Sequence, residues 1–145
     1  MNTEFKRPEL EDRDTIMHYF SLQKSRGCEC TFSCVYLWAR FYHVEYAIME
    51  DMMVFKCGEE DLFFDFPYGE EKNVKAAIEA IRAYCEKENI EFCLGQVTPE
   101  QFAILERLYP DTFEIFYDRN IADYVYEREK LANLSGKKYH GKKNH

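Results

Sequence analysis

Between Val44 and Phe66 three β-prone stretches follow one another so closely that antiparallel pairing is the simplest way to join them: Val44 to Met49, Met52 to Cys57, and Leu62 to Phe66. Val44, Tyr46 and Ile48 alternate with Glu45 and Ala47, the two-residue period of a strand with unlike faces. Gly58-Glu59-Glu60-Asp61 reads as a turn. Pro67-Tyr68-Gly69 ends the third stretch, and the period then changes: Val74, Ile78, Ile81 and Cys85 mark a long helix across residues 70–88. A strand beyond that helix, Glu91 to Val97, should run parallel to the strand before it, because the helix serves as the crossover. A meander followed by a crossover predicts a mixed sheet of an α+β domain.

The flanks supply helices. Carboxylates at Glu11, Asp12 and Asp14 precede Ile16, Tyr19 and Phe20, predicting a first helix near residues 12–23. Ser33 can cap a second, with Cys34, Val35, Trp38 and Phe41 at helical spacing. Thr98-Pro99-Glu100-Gln101 reads as a capping box with proline at the first helical position, opening a helix whose Phe102, Leu105 and Leu108 face the core. Phe113, Ile115 and Tyr117 alternate as a further strand, Asp123 to Tyr126 reads as a short one, and Arg128 to Leu134 as a short helix. The expected sheet has about five to seven strands.

The 145 residues suit one domain with a core of its own, and 46% hydrophobic and 17% aromatic residues exclude a disordered chain. Met1 to Glu11 lacks the apolar stretch of a secretory signal, and no run approaches a membrane span, so the six cysteines are expected reduced in the cytoplasm.

Charge is distributed unevenly. Ser135 to His145 holds four lysines, two histidines and no carboxylate, whereas the rest of the chain carries 15 basic against 27 acidic residues. Folding does not require such a reversal of sign; contact with something anionic would explain it. The acidic body argues against broad nucleic-acid binding outside this tail. A solvated tail without a ligand is the competing reading.

The order helix, helix, three strands, long helix, strand, helix, strand resembles the GNAT acyltransferase superfamily. Four segments sharpen the resemblance: Cys30-Thr31-Phe32-Ser33 to Leu37-Trp38, Phe66-Pro67-Tyr68-Gly69, Asp123-Tyr124-Val125-Tyr126, and Leu134-Ser135-Gly136-Lys137-Lys138-Tyr139-His140. In this order they resemble the soluble bacterial family named for the C-terminal domain of phosphatidylglycerol lysyltransferase. Members of that family carry two GNAT-like units in tandem, and this chain resembles the first. The resemblance implies a GNAT-like domain over residues 1–134 and a basic connecting segment over 135–145 that begins a helix cut short. Gly141 and Asn120 depart from the family, which usually has a basic and an acidic residue there.

The same resemblance implies a probe for function. The relatives transfer an aminoacyl group from tRNA to a lipid, with the reaction centred on the second unit. This chain is then expected to be a noncatalytic half that partners the second unit of the same polypeptide and presents Lys137, Lys138, His140, Lys142 and Lys143 to a phosphate-bearing substrate or carrier, a tRNA or a lipid headgroup. Arg119, near the end of the last long strand, is a further candidate anion ligand, with a plain Asp118–Arg119 surface pair as the simpler account. Acyl-CoA or aminoacyl-tRNA belongs to the full-length protein; this half is expected to bind no cofactor. The place in the cell is cytoplasmic, with a peripheral membrane position open, and a separated half should self-associate. Two other readings stay open, an independent small-molecule N-acetyltransferase and a nonenzymatic binding module.

CoA-using GNAT enzymes hold the pyrophosphate on a glycine-rich turn before the long helix. The corresponding segment here, Asp65 to Lys72, has one glycine, a proline without N–H and three carboxylates, each repelling a phosphate by about 1 kcal/mol or more. Glu70 and Glu71 there suit the helix dipole. Cys28, Cys30 and Cys34 with His43 depart from the paired Cys-x2-Cys of zinc sites, and no metal is expected. His18 and His43 lack a nucleophile or an orienting acid at local spacing, and Glu114 with Asp118 makes no convincing catalytic pair. Trp38, Phe41, Tyr42 and Tyr46 read as core, or as a face that meets the second unit.

Overall fold

The computed structural model describes residues 4–23, 25, 27–122, 125–134, 136–137 and 141. The chain divides into two compact parts, Met1–Ile115 and Phe116–His145. The first carries the sheet. Its helices are α1 (Arg13–Ser21), α2 (Phe32–Trp38), α3 (Val74–Glu88) and α4 (Pro99–Leu108), and its strands are β1 (Glu45–Met49), β2 (Met52–Cys57), β3 (Phe63–Asp65) and β4 (Leu94–Gly95). Strand order is β1-β2-β3-β4. The first two pairings are antiparallel, and β3 runs parallel to β4 with α3 as the connection. This is the α+β, GNAT-like arrangement expected, a mixed sheet with an antiparallel meander and flanking helices.

The period of two in β2 explains the layers. Met52 and Val54 point to one face, where they meet Phe64, Val74, Ile78 and Ile81 of the α3 side. Met53, Phe55 and Cys57 point to the other, against Ile16 and Phe20 of α1 and Phe32 of α2. All five are buried, so the central strand is covered on both sides. Pairing Met49 with Met52 leaves only Glu50 and Asp51 in the turn, both at positive φ (50° and 56°), as a two-residue hairpin of right-handed twist needs. Lys6 extends the sheet beyond β1 as a single bridge: Lys6 and Tyr46 exchange backbone hydrogen bonds at 3.0 and 2.8 Å.

Caps account for several boundaries. Thr98 Oγ1 accepts from the Gln101 N–H at 3.3 Å while Gln101 Oε1 accepts from the Thr98 N–H at 2.9 Å, the box expected for α4. Asn89 adopts a left-handed conformation at the end of α3. At α2 the cap is Thr31, not Ser33: Thr31 is extended and its Oγ1 accepts from the Cys34 N–H at 3.4 Å. Either hydroxyl could serve chemically; backbone conformation decides.

Three strand expectations fail. The described residues form four strands rather than five to seven, and only Leu94–Gly95 of the stretch 91–97 pairs, both residues half-buried. Residues 112–118 have no regular structure, and Ile115, Phe116 and Tyr117 are exposed. Alternation gives a segment two unlike faces, but a strand also needs a neighbouring backbone to pair with. The expected strand at 123–126 includes Asp123 and Tyr124, outside the described residues.

The part Phe116–His145 contains a 3-10 turn at Arg119–Ile121 and the helix α5 (Arg128–Asn133), as the sequence pattern predicts for the latter.

Candidate functional site

A polar cluster lies under the turn before α2, at the C-terminal end of β3. The pairing of Cys57 with Phe63 sets the register, so Asp65, two residues beyond Phe63, projects to the α1–α2 face. The same face carries an apolar wall. Phe20, Phe55 and Tyr68 pack ring against ring, with centroids 5.0 to 5.8 Å apart. Asp65 is half-buried as a residue, yet its Oδ1 is sealed from solvent and has no hydrogen-bond partner. Burial raises its carboxyl from the ordinary 3.8 to about 7, and the Glu29 charge adds to the rise.

The neighbours share one sign. Burial raises the Tyr68 hydroxyl far above its usual value, with Asp65, Cys30 and Glu29 contributing. Burial, followed by the Asp65 charge, does the same to the Cys57 thiol. The Cys30 thiol donates to Tyr68 Oη at 3.7 Å, and the Cys28 thiol to Glu29 Oε1 at 3.8 Å. Gln23 ties the α1–α2 connection to this place by donating from Nε2 to the Pro67 carbonyl at 2.7 Å. Sequence reasoning counted Asp65 only as one of three carboxylates hostile to phosphate. The signal it passed over is a lone charge inside Leu62-Phe63-Phe64-Asp65-Phe66, a strand with both faces covered.

The turn before α3 is closed rather than cradle-like. The Tyr68 N–H is committed to the Met53 carbonyl at 2.8 Å, and the Asn73 N–H to that of Glu70 at 3.0 Å. A Cβ on Gly69 would stand 2.6 Å from Met52 Sδ and 3.2 Å from the Asp51 carbonyl oxygen. The glycine therefore lets this turn pass under the β1–β2 hairpin. Glu70 is ion-paired with Lys72 at 2.5 Å and Glu71 with Arg107. A depression of about 270 Å³ opens beside the turn, lined by His18, Tyr19, Leu22, Asp51, Glu70, Lys72 and Asn73. Its one lysine is already paired with a carboxylate, which leaves little for an anion.

The remaining candidates separate. His43 Nε2 lies 3.4 Å from Glu59 Oε2 at the surface. Cys28 is exposed and Cys30 and Cys34 half-buried; burial raises the Cys34 thiol, with Cys28 beside it the next cause. Among the described residues no trio of His, Cys, Asp or Glu is arranged to hold a metal. Trp38, Phe41 and Tyr42 are not core: they form an exposed trio with centroids 4.9 to 6.1 Å apart, whereas Tyr46 is buried as expected. Arg119 and Lys137 are exposed. Asp118 caps its own turn by accepting from the Asn120 N–H at 2.8 Å, and no Asp118–Arg119 pair is found among the described residues. Lys138, His140, Lys142 and Lys143 lie outside the described residues.

A meander, an α3 crossover and helices on both faces define a GNAT-like α+β domain. The chain belongs to the family described as phosphatidylglycerol lysyltransferase, C-terminal, whose family model matches residues 20–145. It is similar, at 35% identity and a TM-score of 0.87, to a solved structure titled a conserved protein of unknown function from Bacteroides thetaiotaomicron VPI-5482. The match covers 98% of this chain and 48% of that one, so the chain spans about half that protein's length. No match is found among curated proteins. Among the described residues no helix is long and apolar enough to cross a membrane.

Proposed function

We propose that this chain is the N-terminal, noncatalytic half of a tandem GNAT-like acyl- or aminoacyltransferase. The observation that carries the reading is the coverage: nearly all of this chain matches only 48% of a related chain. Membership of the lysyltransferase family supports transfer of an acyl or aminoacyl group as the chemistry of the whole. The turn before α3 supports a noncatalytic role for this half. Its carboxylates, the committed N–H groups of Tyr68 and Asn73 and its tightly covered glycine weigh against a pyrophosphate there.

In this reading the half binds no cofactor, and acyl-CoA or aminoacyl-tRNA is used by the whole protein. Lys137, Lys138, His140, Lys142 and Lys143, together with Arg119, face the phosphate of an anionic carrier, a tRNA or a lipid headgroup. The exposed Trp38, Phe41 and Tyr42 give the second GNAT-like unit, or another copy of a separated half, an apolar surface to meet. The protein works in the cytoplasm, against the membrane surface when its acceptor is a lipid.

The test is transfer of labelled lysine from lysyl-tRNA to phosphatidylglycerol vesicles, run in parallel with the product of the complete reading frame and with residues 1–145. Transfer by the complete product and none by residues 1–145 is expected. Turnover by residues 1–145 alone, with tRNA or acetyl-CoA as donor, would overturn the noncatalytic assignment.

A further inference from the structure

Cys28, Cys30 and Cys34 sit together where α2 begins, and the hydrogen bonds there sort them. Cys28–Cys30 is a single 3-10 turn, in which successive side chains stand a third of a turn apart, so Cys28 and Cys30 leave it on different sides. Cys30 turns inward: its thiol donates to Tyr68 Oη at 3.7 Å, and the residue packs against the cluster of Phe20, Phe32 and Phe55. Cys28 turns outward and is exposed, its thiol donating to Glu29 Oε1 at 3.8 Å. Thr31 then joins Cys28 to Cys34 through one oxygen. Its hydroxyl donates to the Cys28 carbonyl at 2.7 Å and accepts from the Cys34 N–H at 3.4 Å. Cys34 lies in the first turn of α2, and helical side chains lean towards the N-terminus, which carries its half-buried thiol back over this cap towards Cys28. Cys28 is accordingly the neighbour that, after burial, most raises the Cys34 thiol. The remaining cysteines lie elsewhere: Cys57 and Cys85 are buried on opposite faces of the sheet, and Cys93 is exposed beside β4.

We propose that Cys28 and Cys34 form a dithiol oxidation site, closed to an intramolecular disulfide by exchange with a small disulfide such as oxidised glutathione. The Cys28 thiolate attacks one sulfur of oxidised glutathione, forming a mixed disulfide and releasing one glutathione thiolate, which takes up the proton Cys28 lost. Cys34 then gives up its proton, attacks the Cys28 sulfur and expels the second glutathione, which takes that proton. Two protein thiols are oxidised and one small disulfide is reduced to two thiols, with no other reactant. Thr31 already holds both ends of the ring, so closure loses little chain entropy. Cys30, held against Tyr68, stays out of the exchange. The disulfide staples the α1–α2 connection to the first turn of α2, the helix that ends at the exposed Trp38, and excess thiol releases it. Nothing in this chemistry depends on the transfer reaction of the longer protein.

The test equilibrates the chain with graded ratios of oxidised to reduced glutathione and blocks free thiols with N-ethylmaleimide. Reduction and deuterated N-ethylmaleimide then mark the thiols that had been oxidised, and fragment ions assign each mark by mass spectrometry. Cys28 and Cys34 should take the second mark together, with the unreduced peptide lighter by two hydrogens and free of glutathione. Cys30 should take the first mark, and the exposed Cys93 should carry glutathione, which shows that the oxidant reached its targets. Cys34→Ser should leave glutathione trapped on Cys28, and Cys28→Ser should leave Cys34 with the first mark. If either variant does not fold, the marks on the unaltered chain decide. Cys30 sharing the second mark, glutathione retained on Cys28 of the unaltered chain, or Cys28 and Cys34 both keeping the first mark while Cys93 reacts would each overturn the assignment.

Discussion

Replacing Asp65 with asparagine should stabilise the fold at alkaline pH, with a pH dependence that identifies the cause. The folded chain raises this carboxyl from 3.8 to about 7, so the folded state binds the proton more tightly than the unfolded chain. Its contribution is therefore fully present below about pH 4 and is lost as pH climbs towards 7, the reverse of a carboxylate held by an ion pair. A rise of about three pH units at about 1.4 kcal/mol each gives a penalty of about 4 kcal/mol above neutrality. That figure is a ceiling, because Asp65 is only half-buried and solvent relaxes around it. Asparagine removes the charge but keeps a polar group short of partners, which returns about 1 kcal/mol or more. The net expectation is that Asp65→Asn is about 2–3 kcal/mol more stable than the parent near pH 8 and no more stable near pH 4. Urea unfolding of both proteins across this range measures it, with equal m-values confirming that the same transition is compared. Subtracting the two curves removes every other titrating group, including Asp12. A difference that does not change with pH, or a variant less stable near pH 8, would refute the reasoning.

Other perturbations probe separate parts. Gly69→Ala drives a methyl against Met52 Sδ and the Asp51 carbonyl and should cost about 1–3 kcal/mol in thermal or urea unfolding. Thr98→Ala removes half of the capping box of α4 and should cost about 1 kcal/mol by the same measurement. The double change Trp38→Ser with Phe41→Ser should weaken concentration-dependent self-association in sedimentation while leaving stability within about 0.5 kcal/mol, as expected of exposed side chains. Changing Lys137, Lys138, Lys142 and Lys143 to glutamine should flatten the salt dependence of binding to anionic vesicles or tRNA. The expected loss is about 0.7–0.9 in log–log slope per phosphate contact removed.

Local pattern announced most of the sheet because each signal there is contained in a few neighbouring residues. Alternation at Val44 to Met49 and the β-prone run Met52 to Cys57 located β1 and β2 within a residue, and Thr98 with Gln101 marked α4 by chemistry that needs no tertiary partner. Errors arose where a distant partner decides. Thr31 and Ser33 offer the same hydroxyl, and only the extended backbone at residue 31 selects the cap. Phe113, Ile115 and Tyr117 have the alternation of a strand but no adjacent backbone among the described residues. Trp38, Phe41 and Tyr42 have helical spacing and apolar character, yet nothing in their order reveals that α2 stops at Trp38 and that all three stay exposed. The Asp65 cluster was least legible, since it assembles from the α1–α2 connection, β2 and β3, which sequence spacing does not bring together.

The tight hairpin between β1 and β2 gives the protein a built-in chemical clock. Met49, Met52 and Met53 flank its turn with 5%, 0% and 0% of their surface accessible, while Met17 on α1 is 39% accessible. Peroxide converts a thioether to a bulkier, polar sulfoxide that neither sheet face can accommodate. Met17 should therefore oxidise promptly, and the hairpin methionines only as fast as the strands separate. Mass spectrometry of the two classes, read against each other, times the breathing of the sheet in an unlabelled sample.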